Sequence, residues 1–258
     1  MLAGPEEELP SGSTLKESVR VLLDSLIDYA GLFPPASLSM EQAVRNYDQY
    51  RRGEYAWALG RFVVPDARSK EVPGDFPLSV IASVHSIPDA YVVEVKASSA
   101  EEIDVIRQQA VGQMIYVEVN DVDLIDIIAH YALRAKIRTG GVTADAFPSV
   151  EQVATFIRMC RQKKVPFKAT AGLHHPIRGG TMHGFVNVFL AAAIPGSASQ
   201  ILREENARAF GFDDGGIWFR DLRVTTEELE RVRKQSAISF GSCSFDEPIA
   251  DLKALGWL

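Results

Sequence analysis

The sequence predicts an α/β protein, a single (β/α)8 TIM barrel, on three observations. About eight short β-branched or aromatic runs recur along its 258 residues. Most are separated by segments with helical periodicity, the alternation that yields a parallel sheet covered by helices. The length suits eight such units, since a barrel of this kind typically takes about 250 residues. An open nucleotide-binding sheet is disfavoured: no Gly-x-Gly-x-x-Gly follows the first strand and no Walker A sequence occurs.

Residues 1–13 read as a solvated leader, with three consecutive glutamates and no basic-then-apolar signal pattern, and the barrel domain spans 14–258. Thr14-Leu-Lys-Glu17 has the form of a capping box, and Leu15, Val19, Leu22, Leu23 and Leu26 recur at helical spacing. Ile27–Phe33 reads as the first strand, stopped by Pro34-Pro35, and Ser39 opens a helix through Tyr50. Gly60–Asp66 and Leu78–His85 follow as strands, the second with only a short connection behind it. Tyr91–Lys96 leads to a helix from Ser99 to Ala110, and Met114–Asn120 to a helix from Val122 to Leu133. Ala135–Gly140 leads to a helix from Ser149, where Ser149 and Gln152 form another capping box. Pro166–Gly172 leads to the helical stretch Gly184–Ala193.

The segment Ala191–Gly216 is less regular. Pro195-Gly-Ser and Asp213-Asp-Gly-Gly216 are turn signals flanking a helix from Ala198 to Phe210. It reads either as an excursion over the barrel mouth or as a surface decoration. A helix capped at Thr225, a last strand Ala237–Gly241 and a helix Pro248–Leu255 close the chain.

Composition narrows the function classes. The chain is 47% hydrophobic and 24% charged, near the average for a soluble globular protein, and its net charge of −7 argues against a nucleic-acid surface. Its longest apolar stretches, Phe185–Ile194 and Val122–Leu133, fall short of the roughly 18–20 residues of a membrane span or carry charge. Cys160 and Cys243 form no ligand-spaced cluster, so a reduced, cytoplasmic setting is expected.

Chemistry in such barrels sits at the C-terminal ends of the strands. Because side chains alternate along a strand, Lys136, Arg138 and Gly140 share a face, as do Lys168, Thr170 and Gly172. Glu94 shares a face with Lys96, and Tyr116 with Glu118 and Asn120. Adjacent strands lie about 4.8 Å apart, so Lys136 and Lys168 can bring two ammonium groups together. Two readings are open. Mutual repulsion in a dry site lowers one lysine pKa and makes a Schiff-base nucleophile. Alternatively, both lysines pair with Glu94 and Glu118 as a structural salt-bridge network. Arg138 is either a clamp for a carboxylate or phosphate, or a partner for Glu118.

His174, His175 and His183 lie within ten residues, and with Asp66, Glu94 or Glu118 they offer the ligand chemistry of zinc, iron or manganese. A metal-dependent hydrolase or isomerase using His174 and His175 is therefore an alternative. Yet no His-x-His or His-Glu-x-x-His spacing occurs, and contact with substrate or solvent is the plainer reading. His85 reads as a strand-end residue, packed or ligating, and His130 as structural. Cys243 beside Ser242 has no base that the sequence names, and reads as buried and inert.

Several of these segments resemble the deoxyribose-phosphate aldolases, a family of class I, aldolase-type TIM barrels. The carriers are Ala135-Lys-Ile-Arg-Thr-Gly-Gly-Val142 and Pro166-Phe-Lys-Ala-Thr-Ala-Gly172, similar to the family's two lysine strands. The lysine separation, 168 − 136 = 32 positions, is close to the family's. Leu26-Ile-Asp28, Ile115-Tyr-Val-Glu118, Phe240-Gly-Ser-Cys-Ser244 and Leu252-Lys-Ala-Leu-Gly256 also resemble family segments in order. The resemblance implies that Lys136 is the Schiff-base lysine and Lys168 the second lysine that depresses its pKa. Glu94 is the carboxylate nearest to the family's strand-four aspartate, one position away, and Glu94 or Glu118 would move protons.

Asp28, Arg138, Thr170, Gly172, His174, Gly241 and Ser242 are the candidate substrate-binding residues. The family's phosphate-binding glycine pair corresponds to Gly172-Leu173, followed by His174-His175-Pro176. The bulky Leu and two imidazoles predict weaker phosphate binding there, with Gly241-Ser242 supplying part of a cradle. The expected activity is a Schiff-base lyase on a small carbonyl or sugar-derived substrate, with no metal or other cofactor. No nucleic acid or membrane partner is expected, and a homo-oligomer is compatible. A catalytically silent barrel that binds a metabolite is the third reading, favoured if both lysines are locked in ion pairs with no open pocket.

Overall fold

A computed structural model describes residues 15–141, 143, 146–194 and 196–258. The expected leader (1–13), Thr14 of the first capping box, Val142 and Pro195 lie outside the described residues. Eight parallel strands close into a barrel: β1 (Ile27–Tyr29), β2 (Leu59–Pro65), β3 (Leu78–Ala82), β4 (Val92–Lys96), β5 (Met114–Glu118), β6 (Arg134–Arg138), β7 (Phe167–Thr170) and β11 (Ala237–Ser242). They pair in chain order, and β11 lies between β7 and β1 to complete the circle. This is the single (β/α)8 architecture that the strand–helix alternation predicts.

Helices follow or precede these strands as α1 (Glu17–Leu23), α2 (Met40–Tyr50), α3 (Ala100–Gln109), α4 (Ile125–His130), α5 (Val150–Lys163), α6 (Phe185–Ala193), α7 (Ala198–Arg203), α8 (Thr226–Gln235) and α9 (Asp246–Ala254). Hydroxyl caps begin the better-defined ones. Ser39, Ser99, Ser149 and Thr225 each accept a hydrogen bond from an N–H three residues on. Ser149–Gln152 and Thr225–Glu228 are complete capping boxes. In contrast, α1 starts at Lys16 without a side-chain cap.

Several expected elements are shorter in the structure, three of them for a visible local reason. After Tyr29 the chain leaves β1 for a turn, with Phe33 N–H donating to Ala30 O at 2.9 Å. β3 ends at Ala82, because Ser83 and Ser86 bridge a tight turn. The helix expected over Val122–Leu133 splits into a 3₁₀ turn, Val122–Leu124, and α4, and Ala132 then adopts a positive φ of 54°.

The main error lies in the segment expected to be helical from Ala198 to Phe210. Here α7 stops at Arg203, and Phe210–Asp213 (β8), Gly216–Phe219 (β9) and Leu222–Thr225 (β10) form an antiparallel sheet. Asp213 pairs with Gly216, so the turn signal read there is a two-residue hairpin. The alternating Phe210, Phe212, Ile217, Phe219 and Val224 bury one face. That sheet packs on α1 and α8, with Phe212 4.9 Å from Trp257. It decorates the flank of the barrel, as the second reading of this segment expects.

Burial follows the period-two face. Residues pointing out of the barrel are apolar and meet the helices: Phe240 stacks on Phe185 at 5.0 Å, Phe167 meets Phe156 at 5.4 Å, and Tyr47 meets Phe62 at 5.4 Å. Residues pointing inward include Asp28, Glu94, Glu118, Lys136 and Lys168, all buried. The hydrophobic core is thus a layer between sheet and helices, around a charged barrel axis. Among the described residues, no helix is long and apolar enough to cross a membrane.

A buried amide joins the β7-to-α7 region. Asn187 accepts from Arg178 N–H at 2.9 Å and donates to Ile201 O and Glu204 O at 2.6 and 2.9 Å. Asn187→Ala would leave these backbone groups unpaired, a loss of about 2–4 kcal/mol. Urea unfolding is expected to show a lower midpoint with unchanged slope; a midpoint equal to wild type would contradict this role.

Candidate functional site

The site is built by register. Lys136 and Lys168 are direct partners on β6 and β7, while Glu118 on β5 is level with Lys136 on one side and with Lys96 of β4 on the other. These inward positions converge on the axis. Lys136 Nζ lies 2.7 Å from Glu94 Oε2 and 2.9 Å from Glu118 Oε2. Lys168 Nζ lies 2.5 Å from Glu94 Oε1 and 2.6 Å from Asp28 Oδ2. Glu94 therefore bridges the two lysines, one carboxylate oxygen to each.

Neutral donors complete the cage. Ser79 Oγ donates to Glu94 Oε1 at 2.6 Å, Ser239 Oγ to Asp28 Oδ2 at 2.8 Å, and Arg61 N–H to Asp28 Oδ1 at 2.7 Å. Lys168 Nζ also lies 5.6 Å from the centre of the Tyr116 ring, whose hydroxyl accepts from Arg134 at 3.2 Å. Toward the C-terminal lip, Arg138 Nε donates to Glu118 Oε1 at 3.0 Å. Three carboxylates thus face three cations.

This charge balance decides the state of Lys168. Burial alone would lower Lys168, but Asp28 and Glu94 raise it above the usual lysine range. Burial alone would raise Glu94, but Lys136 and Lys168 hold its carboxyl well below the usual range. Glu118 is likewise lowered against its burial, by Lys136 and Arg138. Carboxylates placed between the ammonium groups outweigh the repulsion across them. The interior network raised as the second reading of the lysines is present.

At the lip, exposure differs sharply. The Arg138 side chain is 46% exposed and that of Lys136 only 5%. A cavity of about 640 Å³ opens at the C-terminal ends of β5 and β6, beside α5, and Arg138, Lys96, Asn120, Phe147 and Gln152 are among its walls. A smaller one, about 280 Å³, lies at the opposite end of the strands against Asp28, Tyr116, Arg134 and Lys168.

The candidate phosphate cradle has another task. Gly172, at φ +74°, approaches Gly140 so closely that a Cβ on Gly140 would sit 2.8 Å from Gly172 Cα. Thr139 Oγ1 locks the same junction by donating to Ala171 O at 2.5 Å. Thr170 and Gly241 are level on β7 and β11 at the lip. The Ser242 carbonyl accepts from Ala30 N–H at 2.7 Å, and its hydroxyl from Ser244 N–H at 3.3 Å, which ties down the loops after β1 and β11.

The histidines lie apart from the ion network. His174 Nδ1 meets Glu247 at 3.1 Å and His175 Nδ1 meets Asp251 at 2.5 Å, both carboxylates on α9. His183, buried and lowered in pKa by that burial, bonds to Pro148 O through Nε2 at 2.8 Å. Among the described residues, no group of three His, Cys, Asp or Glu side chains is placed to hold a metal. His85 is exposed in a turn, so it is not a packed strand-end residue, and His130 is exposed at the end of α4, where its ring meets Tyr131. Burial raises the pKa of the Cys160 and Cys243 thiols, in keeping with inert cysteines.

Ser79, Ser239, Tyr116 and Arg134 were not among the sequence-derived site candidates. Extending the period-two reading to every strand places Ser239 on the Gly241 face and Arg134 on the Lys136 face, so that signal was present. No protein-family model matches the chain, and no curated protein matches it.

The shifts set a pH window. Glu94 and Glu118 contribute stability that is complete above the unfolded carboxylate pKa, about 4.3, and is lost as pH falls below it. Lys168 contributes stability that is complete below about pH 10.4 and is lost as pH rises above it. Urea unfolding should give a plateau between these limits, falling at both ends. Glu94→Gln leaves two facing ammonium groups, and the plateau should drop by about 3–5 kcal/mol. An unchanged plateau would show that the bridge does not hold the barrel.

Proposed function

We propose that the protein is a Schiff-base lyase of the class I aldolase kind, acting on a small carbonyl compound through Lys136. The observation that carries this reading is the Glu94 bridge, with Lys136 at the lip side of a network whose second lysine is buried deeper. Lys136 adjoins the half-exposed Arg138 through Glu118, whereas Lys168 is enclosed by Asp28, Glu94 and its neighbours.

The chemistry follows from the cage. A proton leaves Lys136 Nζ for Glu118 or Glu94, and the neutral amine adds to the carbonyl carbon. The resulting hydroxyl leaves as water, taking that proton back, and an iminium forms. Its positive charge occupies the place of the original ammonium, so the same two carboxylates stabilise it without rearrangement. Cleavage of the neighbouring carbon–carbon bond sends the electron pair toward the iminium nitrogen while the β-hydroxyl proton passes to a carboxylate. Lys168 is a positioning residue that keeps Glu94 ionised and fixed, and Asp28 and Ser239 hold Lys168 in turn.

A second reading, a silent metabolite-binding barrel, draws on the near-complete burial of Lys136 and the ion pairing of both lysines. A metal-dependent hydrolase draws no support from His174 and His175, whose partners are on α9.

Trapping separates the two. Borohydride added with a panel of small aldehydes and ketones is expected to leave a reduced adduct on the Lys136 peptide, read by mass spectrometry, and Lys136→Met should abolish it. Glu118→Gln should slow trapping by about 10²–10⁴-fold, the usual effect of removing a proton-transfer group. Absence of an adduct at Lys136, or equal labelling of surface lysines, would favour the silent barrel.

A further inference from the structure

We propose that the carbonyl substrate is a 2-oxo acid, gripped by its carboxylate on Arg138 with Lys96 beside it, and that this grip makes Glu118 a better acceptor for the Lys136 proton. The inference rests on the Schiff-base reading and names the substrate class for it.

The first ground is spare positive charge at the lip. Among the described residues, Arg138 forms an ion pair with Glu118 alone, through Nε, and its terminal nitrogens make no hydrogen bond there. Lys96, level with Glu118 and exposed, has no carboxylate partner among the described residues. Both cations line the cavity of about 640 Å³. The two acidic residues among its described walls have other contacts: Glu151 with Arg203 at 2.5 Å, and Asp121 with the N–H of Asp123 at 3.0 Å. A planar guanidinium with free terminal N–H groups matches a carboxylate in a two-point grip.

The second ground is distance. Arg138 and Lys136 hold the two oxygens of one carboxylate, Glu118, at 3.0 and 2.9 Å. A substrate anion on Arg138 is therefore only a few bonds from Nζ. A carboxylate attached directly to the carbonyl carbon satisfies Arg138 while that carbon meets Lys136. A phosphate several bonds away does not, and Gly172 of the candidate cradle is packed against Gly140.

The third ground is the resting state itself. Glu118 is neutralised by two cations, which makes it a poor proton acceptor. A substrate carboxylate on the terminal nitrogens shares the Arg138 charge, so Glu118 is less fully neutralised and becomes a better acceptor for the Nζ proton. Proton transfer from Nζ then follows substrate seating, so Lys136 is unmasked only when it is needed. In the lyase direction, the C3–C4 bond of a 4-hydroxy-2-oxo acid breaks. The C4 hydroxyl proton goes to Glu118, the C3–C4 electron pair becomes the C2=C3 bond of an enamine as the iminium π pair passes to nitrogen, and an aldehyde leaves. Proton return to C3 and hydrolysis by water then release the shorter 2-oxo acid and Lys136.

The test compares matched ketones in cyanoborohydride trapping: pyruvate, acetone and dihydroxyacetone phosphate at equal concentration. Pyruvate is expected to label the Lys136 peptide about tenfold or more faster than acetone, the effect of one charge-assisted contact. Arg138→Gln should bring that ratio to about one, and Lys96→Gln should reduce it. If acetone labels as fast as pyruvate, the 2-oxo acid inference fails while the Schiff-base reading stands. If dihydroxyacetone phosphate is fastest, the substrate is phosphorylated and the inference also fails. If no ketone labels Lys136, the Schiff-base reading falls, and malonate titrated calorimetrically decides the clamp alone. Binding in the wild type that is lost in Arg138→Gln supports the clamp; no binding overturns it.

Discussion

One carboxylate governs this barrel. Glu94, buried on β4, holds a lysine on each of its oxygens and so decides where two positive charges can sit inside the sheet. Buried ion pairs rarely stabilise a fold better than apolar residues of the same volume, because desolvation offsets the attraction. Removal of one partner is far more damaging than replacement of the whole set. The apolar layer between sheet and helices already supplies the burial that folding requires, with Phe156, Phe167, Phe185 and Phe240 in contact there. A charged axis added to such a core is an arrangement that chemistry explains better than stability does.

From that bridge, order spreads in two directions. Toward the N-terminal ends of the strands, Lys168 is fixed by Asp28, and Asp28 by Ser239 and the Arg61 backbone, which joins β1, β2, β7 and β11 across the closure of the barrel. Toward the lip, Glu118 links Lys136 to Arg138, the most exposed member of the chain of ion pairs. At the lip, interior charge thus reaches solvent through Arg138. The glycine contact between Gly140 and Gly172 and the Thr139 hydrogen bond hold the ends of β6 and β7 together, so the two lysine strands keep their register where the site opens.

Much of this was legible from residue pattern. Alternating strands and helices reveal the barrel, and period-two spacing puts Asp28, Glu94, Glu118, Lys136 and Lys168 on its inner face. The choice between repulsion and pairing was not legible. Both readings of Lys136 and Lys168 were open when only their strands were compared; the side chain of Glu94, two strands away from β6, reaches between them, and Asp28, which the pairing reading did not include, holds Lys168 from β1. Such long-range convergence depends on barrel closure and side-chain reach, which spacing along the chain does not encode. The β8–β10 sheet was missed for a local reason: Ala198–Arg203 has a helical start, and the short alternating runs after it differ from a helix by only a few residues. His174 and His175 drew attention as neighbours in sequence, but α9 supplies their partners from more than 70 positions away.

Glu94 and Asp28 hold Lys168 as a permanent cation inside the barrel. Nitrogen-15 NMR of lysine side chains, with Lys168 assigned by substitution, tests this most directly as pH is raised from 6. An ammonium signal for Lys168 is expected to persist until the protein unfolds in alkali. A Lys168 amine that titrates near neutrality would contradict it.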